Sequence, residues 1–129
     1  MKVIDAIAAI MKQEGVHFLS CYPTTPIIEA CASVGIRPYL CRQERVGAGI
    51  ADGYSRVTNG KPLGVFAMQY GPGAENAFPG VATAYSESTP MLVLPLGHQR
   101  DRAQVFPLFS SARTYASVTK SVETLNLAH

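Results

Sequence analysis

Glu44 is the carboxyl on which acid–base chemistry would rest. It follows the apolar run ending at Cys41 and precedes Val46, Gly47, Ala48 and Gly49, with Arg42 and Arg45 as its charged neighbours. A second group of interest is Gly71-Pro72-Gly73. Glycines there permit a tight turn, and a helix that follows would present unpaired N–H groups able to hold a phosphate. The turn matches neither the P-loop pattern nor the GxGxxG fingerprint, so it does not by itself indicate a nucleotide. Asn76 falls one turn further on and can point into the same crevice. Gly97-His98-Gln99 closes a later apolar run, and a histidine at such a place can face a substrate. Each residue also has an ordinary structural account. A first-turn Glu gains about 0.3–1 kcal/mol from the helix macrodipole, Asn76 is an ordinary first-turn polar residue, and His98 suits a solvent-exposed loop.

The elements that must position these residues follow from hydrophobic period and punctuation. Ile4, Ile7, Ala8 and Met11 recur at helical spacing, so 3–14 is expected to be an amphipathic helix ended by Gly15. His17 to Cys21 reads as a short buried strand. Thr25 is expected to cap a helix with Pro26 at its first position, running to Val34 and stopped by Gly35. Arg37 to Cys41 is a second strand, 43–58 a helix closed by Asn59-Gly60, and Leu63 to Met68 a third strand. A helix over 73–87, bent at Pro79, leads to a fourth strand at 91–94. Beyond Leu96 the expectations are an apolar segment at 106–109, a helical turn at 112–115, a strand at 117–122 and the start of a further helix at 125–129.

Strand and helix alternate with short connections. That implies an α/β fold, a three-layer sandwich with a mostly parallel sheet covered by helices on both faces. The strands are unbroken apolar runs, as when both faces are buried. Ligands of such sheets bind at the carboxyl ends of the strands, which brings 22–25, 42–45, 69–76 and 97–101 to one edge. Gly47, Gly49 and Gly53 each cost about 1 kcal/mol in helix propensity relative to alanine, so their helix must approach another backbone or a ligand closely. Asp52 and Arg56 have the spacing of an i, i+4 surface pair.

Composition narrows the class. A chain of 129 residues has the size of one domain. Charged residues make up 16% and hydrophobic ones 47%, against about 25% charged in a typical soluble domain, which excludes intrinsic disorder. The net charge of +2, from 11 basic and 9 acidic residues, comes without a basic run and gives nucleic-acid binding no support. Between Pro62 and Leu96 the only charges are Glu75 and Glu87, so this stretch must be buried in the core or against a partner. Its Gly and Pro residues exclude a membrane span. Asp5 interrupts the early apolar region, which argues against a secretory signal peptide. Cys21, Cys31 and Cys41 form no CxxC pair and are expected as free thiols of a cytoplasmic protein, without a disulfide framework or metal site. These residues alone leave an enzyme half-site and a non-catalytic binding module both open.

Gln43-Glu44, followed by Gly-Ala-Gly-Ile-Ala-Asp-Gly-Tyr-Ser-Arg over 47–56 and by Thr58-Asn59-Gly60, resembles the pyrimidine-binding domain of thiamine diphosphate enzymes. The closer group is acetolactate synthase-like, the decarboxylases and carboligases of 2-oxo acids. Tyr22-Pro23 after the first strand, the GPGxxN turn from Gly71 to Asn76, and Ser88-Thr89-Pro90-Met91-Leu92-Val93 agree in order, and the resemblance covers 3–122. It implies that 1–129 is that domain, in the thiamine diphosphate-binding fold, without its final helix and strand.

The resemblance also implies roles. Glu44 would bond N1′ of the cofactor's aminopyrimidine, and their shared proton would favour the imino form that takes the proton from C2 of the thiazolium. Tyr22, Pro23, Gly71, Pro72 and Asn76 would bind the cofactor, and His98 lies in the region that meets substrate. Mg2+ would be held by a diphosphate-binding domain or subunit, because the GDG motif of that half is absent here. Partners are then that domain, a second copy of the chain in a homo-oligomer, and a small 2-oxo acid, with no nucleic acid and no membrane. The chain alone is expected to be inactive. Two departures bear on the substrate: Gln69-Tyr70 replaces the common Thr-Ser, and Ala103 to Phe109 replaces the Phe-Gln-Glu segment of acetolactate synthases. Glu44 argues against the glyoxylate carboligase type. Alternatives are a separate small subunit of a split, sulfopyruvate-type decarboxylase, or a non-catalytic partner-binding relative.

Overall fold

In the computed structural model, residues 1–23, 25–99, 101–102, 105–106 and 109–125 are described. At its centre lies the strand Gly64–Met68, every residue of which is buried. Its side chains divide by the period of two that a strand imposes. Val65 and Ala67 enter one core with Ala8, Met11, Ile27, Ala30 and Cys31, while Phe66 and Met68 enter another with Ala48, Ala51 and Ala77. The sheet is therefore covered on both faces, as the apolar run required.

In chain order the elements are α1 (Val3–Gln13), β1 (Phe18–Cys21), α2 (Ile27–Ser33), β2 (Arg37–Leu40), α3 (Glu44–Val57), β3 (Gly64–Met68), α4 (Pro72–Ser86), β4 (Met91–Pro95) and α5 (Ser111–Tyr115). The sheet has four strands in the order β2-β1-β3-β4, all parallel. Helices α1 and α2 pack on one face; α3 and α4 pack on the other. This is the expected α/β three-layer architecture. The chain leaves α1 at Gly15 and α2 near Gly35, both at positive φ.

Missing side chains let α3 lie close against the sheet. A methyl on Gly47 would meet the Phe66 ring at 2.2 Å and Cys41 Sγ at 2.8 Å, and one on Gly64 would meet the Ala51 carbonyl oxygen at 2.0 Å. Between the two helices, a methyl on Gly80 would meet Ala48 Cβ at 2.6 Å. Two buried serines then fasten α3. Ser20 Oγ donates to the Gly47 carbonyl at 2.9 Å. Ser55 Oγ donates to the Pro90 carbonyl and accepts from the Gly64 amide. Gly49 and Gly53 differ: nothing lies within 4 Å of a methyl at either. They face outward beside the exposed Val46, Ile50 and Val57.

Four expectations are corrected. Strand β2 is an edge strand with Tyr39 and Leu40 exposed, not one buried on both faces; Pro38, without an N–H, suits that place. Thr25 does not cap α2 with its side chain. Its Oγ1 is buried without a partner among the described residues, its carbonyl accepts from the Ile28 amide, and Pro26 holds the N-cap position. No strand forms at 117–122. Among the described residues that stretch pairs with no strand and instead turns back on α5, through Val118 N–H and Thr119 Oγ1 to the Tyr115 carbonyl. Asp52 and Arg56 do pair, at 2.9 Å, but Asp52 is largely buried rather than a surface residue. The helical turn at 112–115 is present as α5, and α4 continues through Pro79 to Ser86. The helix start at 125–129 falls, after Leu125, outside the described residues, as does part of 103–109.

All three cysteines are free and buried. Burial pushes the thiols of Cys21 and Cys31 up to about 11 and raises that of Cys41. The folded state thus holds these protons above the pH at which an unfolded chain releases them. Their contribution to stability is fully present below pH 9 and is lost as pH rises through about 11. Urea denaturation from pH 8 upward should show a falling midpoint across that window. Of the glycines, Gly47→Ala should cost about 1–3 kcal/mol by overpacking against Phe66. In contrast, Gly49→Ala should stabilise by up to about 1 kcal/mol. The same denaturation measurement distinguishes them.

Candidate functional site

Glu44 is the first residue of α3, with Gln43 at the N-cap in an extended conformation. The carboxyl is taken inward because β2 ends at Leu40 and Cys41 stays tied to the sheet, its amide donating to the Cys21 carbonyl at 2.9 Å. Glu44 is only 8% exposed. A buried carboxyl is costly unless hydrogen-bonded, and Asn76 supplies the bond, its Nδ2 donating to Oε2 at 2.7 Å.

Asn76 reaches Glu44 from the start of α4. That helix begins at Gly71, whose φ of 59° and ψ of −121° suit glycine, and Pro72 fills its first position. Gly73 comes next. A methyl there would lie 3.2 Å from Glu44 Oε1 and 3.2 Å from Gln69 Cβ. The absent side chain lets the α4 backbone approach Glu44 closely. One carboxyl oxygen is bonded to Asn76, and Oε1 takes no hydrogen bond among the described residues.

Two further contacts stand on the same edge of the sheet. Gln69 Nε2 donates to the Pro23 carbonyl at 3.4 Å, joining the ends of β1 and β3. His98 lies against Tyr70, ring centroids 4.4 Å apart. It is half-buried rather than an exposed loop histidine, and its Nε2 is buried without a partner among the described residues. Tyr22 is half-buried against the cluster of Cys41, Ala48, Phe66 and Met68. Glu44, Gly73 and Asn76 are thus in direct contact. No hydrogen bond links His98 to them.

The sequence reading singled out Gly73 only as part of the turn and Gln69 only as a departure from the family pattern, not for their contacts at Glu44 and Pro23. Tyr115 escaped it altogether. Its hydroxyl donates to the Ala74 carbonyl in the first turn of α4, and the residue is 3% exposed. Burial raises its phenol above the ordinary range, and the charge of Glu44 raises it further. The thiol of Cys41 is raised first by burial, with Glu44 adding to it.

Residues 1–122 match the family model described as thiamine pyrophosphate enzyme, N-terminal TPP binding domain. The chain belongs to that family. Relatives of this TPP-binding domain include the acetolactate synthase large subunit of Haemophilus influenzae, 34% identical over 70% of this chain and 16% of that protein. Its counterpart in Buchnera aphidicola subsp. Acyrthosiphon pisum is 44% identical over 73% of this chain and 17% of that protein. A probable 2-ketoarginine decarboxylase of Pseudomonas aeruginosa is 41% identical over 62% and 13%. The chain thus spans about one sixth of the length of the acetolactate synthases. Among the described residues, no helix is long and apolar enough to cross a membrane.

Asn76→Ala would leave Glu44 Oε2 buried without its donor. The expected loss is about 1–3 kcal/mol of stability, and Asn76→Asp, which sets a second carboxylate against the first, should lose more. Equilibrium urea denaturation of both variants measures it.

Proposed function

We propose that residues 1–129 are the pyrimidine-binding domain of a thiamine diphosphate-dependent decarboxylase or carboligase of 2-oxo acids. The observation that carries this is the arrangement at Glu44: a buried carboxyl with one oxygen bonded to Asn76 and the other free of hydrogen bonds among the described residues. That arrangement suits an aminopyrimidine, since Oε1 is available to share a proton with a ring nitrogen. One relative's name agrees with this substrate class, since 2-ketoarginine is itself a 2-oxo acid.

When bound, thiamine diphosphate supplies the carbon nucleophile and electron sink that 2-oxo acid chemistry requires. The chain's own residues do the rest. Glu44 holds and exchanges the proton at Oε1. Asn76 fixes the carboxyl plane and occupies Oε2, so Oε1 would be the oxygen left to meet the ring. Gly71 and Pro72 set the turn that delivers Asn76. Tyr22 and Pro23, at the end of β1, would help to hold the cofactor, and His98, held against Tyr70, would meet the substrate. The chain contributes no ligand for Mg2+; a diphosphate-binding domain or subunit holds that ion, and the chain alone is inactive. Outward-facing Gly49 and Gly53, beside exposed Val46 and Ile50, favour a partner surface there, in a homo-oligomer.

Glu44→Gln keeps the shape and removes the titrating proton. In the full-length protein with thiamine diphosphate and Mg2+, turnover of 2-oxo acids should fall by about 100-fold or more, the range of acid–base groups. A loss under about threefold, measured as kcat, would remove Glu44 from the chemistry.

A further inference from the structure

We propose that Tyr115 is a positioning residue for the Glu44–Asn76 pair, acting through the first turn of α4. This rests on the reading of Glu44 as the group that bonds the cofactor. The start of α4 carries both groups that meet the carboxyl: Gly73, whose lack of a side chain lets it lie close to Oε1, and Asn76, which donates to Oε2. Ala74 lies between them in sequence, and its carbonyl accepts the Tyr115 hydroxyl. Nothing else described from the segment after β4 hydrogen-bonds to this turn.

The hydroxyl is not needed to complete the helix. By α-helical geometry the Ala74 carbonyl also faces the Phe78 amide, and a carbonyl has a second lone pair for the phenol. Tyr115 is held for that bond on two sides. Its ring stacks on Phe78, with centroids 6.1 Å apart and planes 22° apart, and it closes a small core with Ala74 and Val81. Thr119 Oγ1 ties the next turn of chain back to its carbonyl at 2.7 Å. Burial and the charge of Glu44 both favour the neutral phenol, so the donor keeps its proton throughout the working pH range. The result is a strut. It runs from α5 to the turn that orients Asn76, and sets how deeply Asn76 reaches Glu44.

The test is Tyr115→Phe in the full-length protein, which keeps the ring and the helix bond and removes only the strut. Amide hydrogen exchange should speed up by about tenfold over 72–78, the order expected from one buried hydrogen bond of local stability. Exchange in α1 and in the far end of α3 should hold. Affinity for thiamine diphosphate should fall several-fold, and a Tyr115→Phe/Asn76→Ala double variant should lose no more than Asn76→Ala alone. Exchange over 72–78 at the parent rate, a rise spread evenly through the chain, or additive losses in the double variant would each overturn the proposal. Glu44→Gln keeps the two readings apart. If it spares affinity and turnover while Tyr115→Phe still loosens 72–78, the strut stands and the role of Glu44 falls.

Discussion

The closeness of α3 to the sheet governs the rest of the molecule. At Gly47 and Gly64 there is no room for a single methyl group, and the helix backbone rests on the Phe66 ring and on the start of β3. Ser20 and Ser55 hold that distance with buried hydrogen bonds from β1 and to the strands that follow. With α3 so placed, its first residue cannot swing out to water. Glu44 enters the interior because the helix behind it has been drawn in.

A buried carboxyl then imposes its own demand on α4. Desolvation must be offset by a donor, and here the donor is a side chain from another element. Asn76 does so because Gly71 turns the chain sharply and Gly73 clears the path. The site is thus made of two helix starts facing each other, one giving an acceptor and one a donor. Its shape is fixed by absent atoms as much as by present ones.

Local chemistry was well marked in the chain. The alternation of helices and strands, the placement of Glu44 at a helix start and the GPG turn all rest on neighbours within a few residues. What was hidden depends on distance along the chain. Tyr115 bonds Ala74 across 41 residues, and no pattern announces such a pairing. The exposure of β2 was hidden for a related reason, since an apolar run looks the same at the centre of a sheet as at its edge. The segment 117–122 has strand-like residues but lacks a neighbour, and a strand is made by its ladder. Thr25 has the side chain of a cap, but the backbone enters α2 one residue late for it, through Pro26.

The two rims of the sheet are not equivalent. On β2 the amides of Arg37 and Cys41 point to β1, donating to His17 and Cys21, so by alternation Pro38 and Leu40 turn their backbone outward. Proline has no hydrogen to offer there, and that rim is blunted against another strand. On the far side, β4 is an unbroken apolar segment that pairs, among the described residues, with β3 alone. The same alternation holds at β4. The Leu96 amide points to β3, so Met91, Val93 and Pro95 turn outward, and Pro95 withholds a donor at the end of that rim. A polypeptide lengthening the sheet would meet the donors of Met91 and Val93 at β4 before reaching a gap, and a gap at Pro38 near the start of β2, so each flank carries its own proline stop at a different height along the strand.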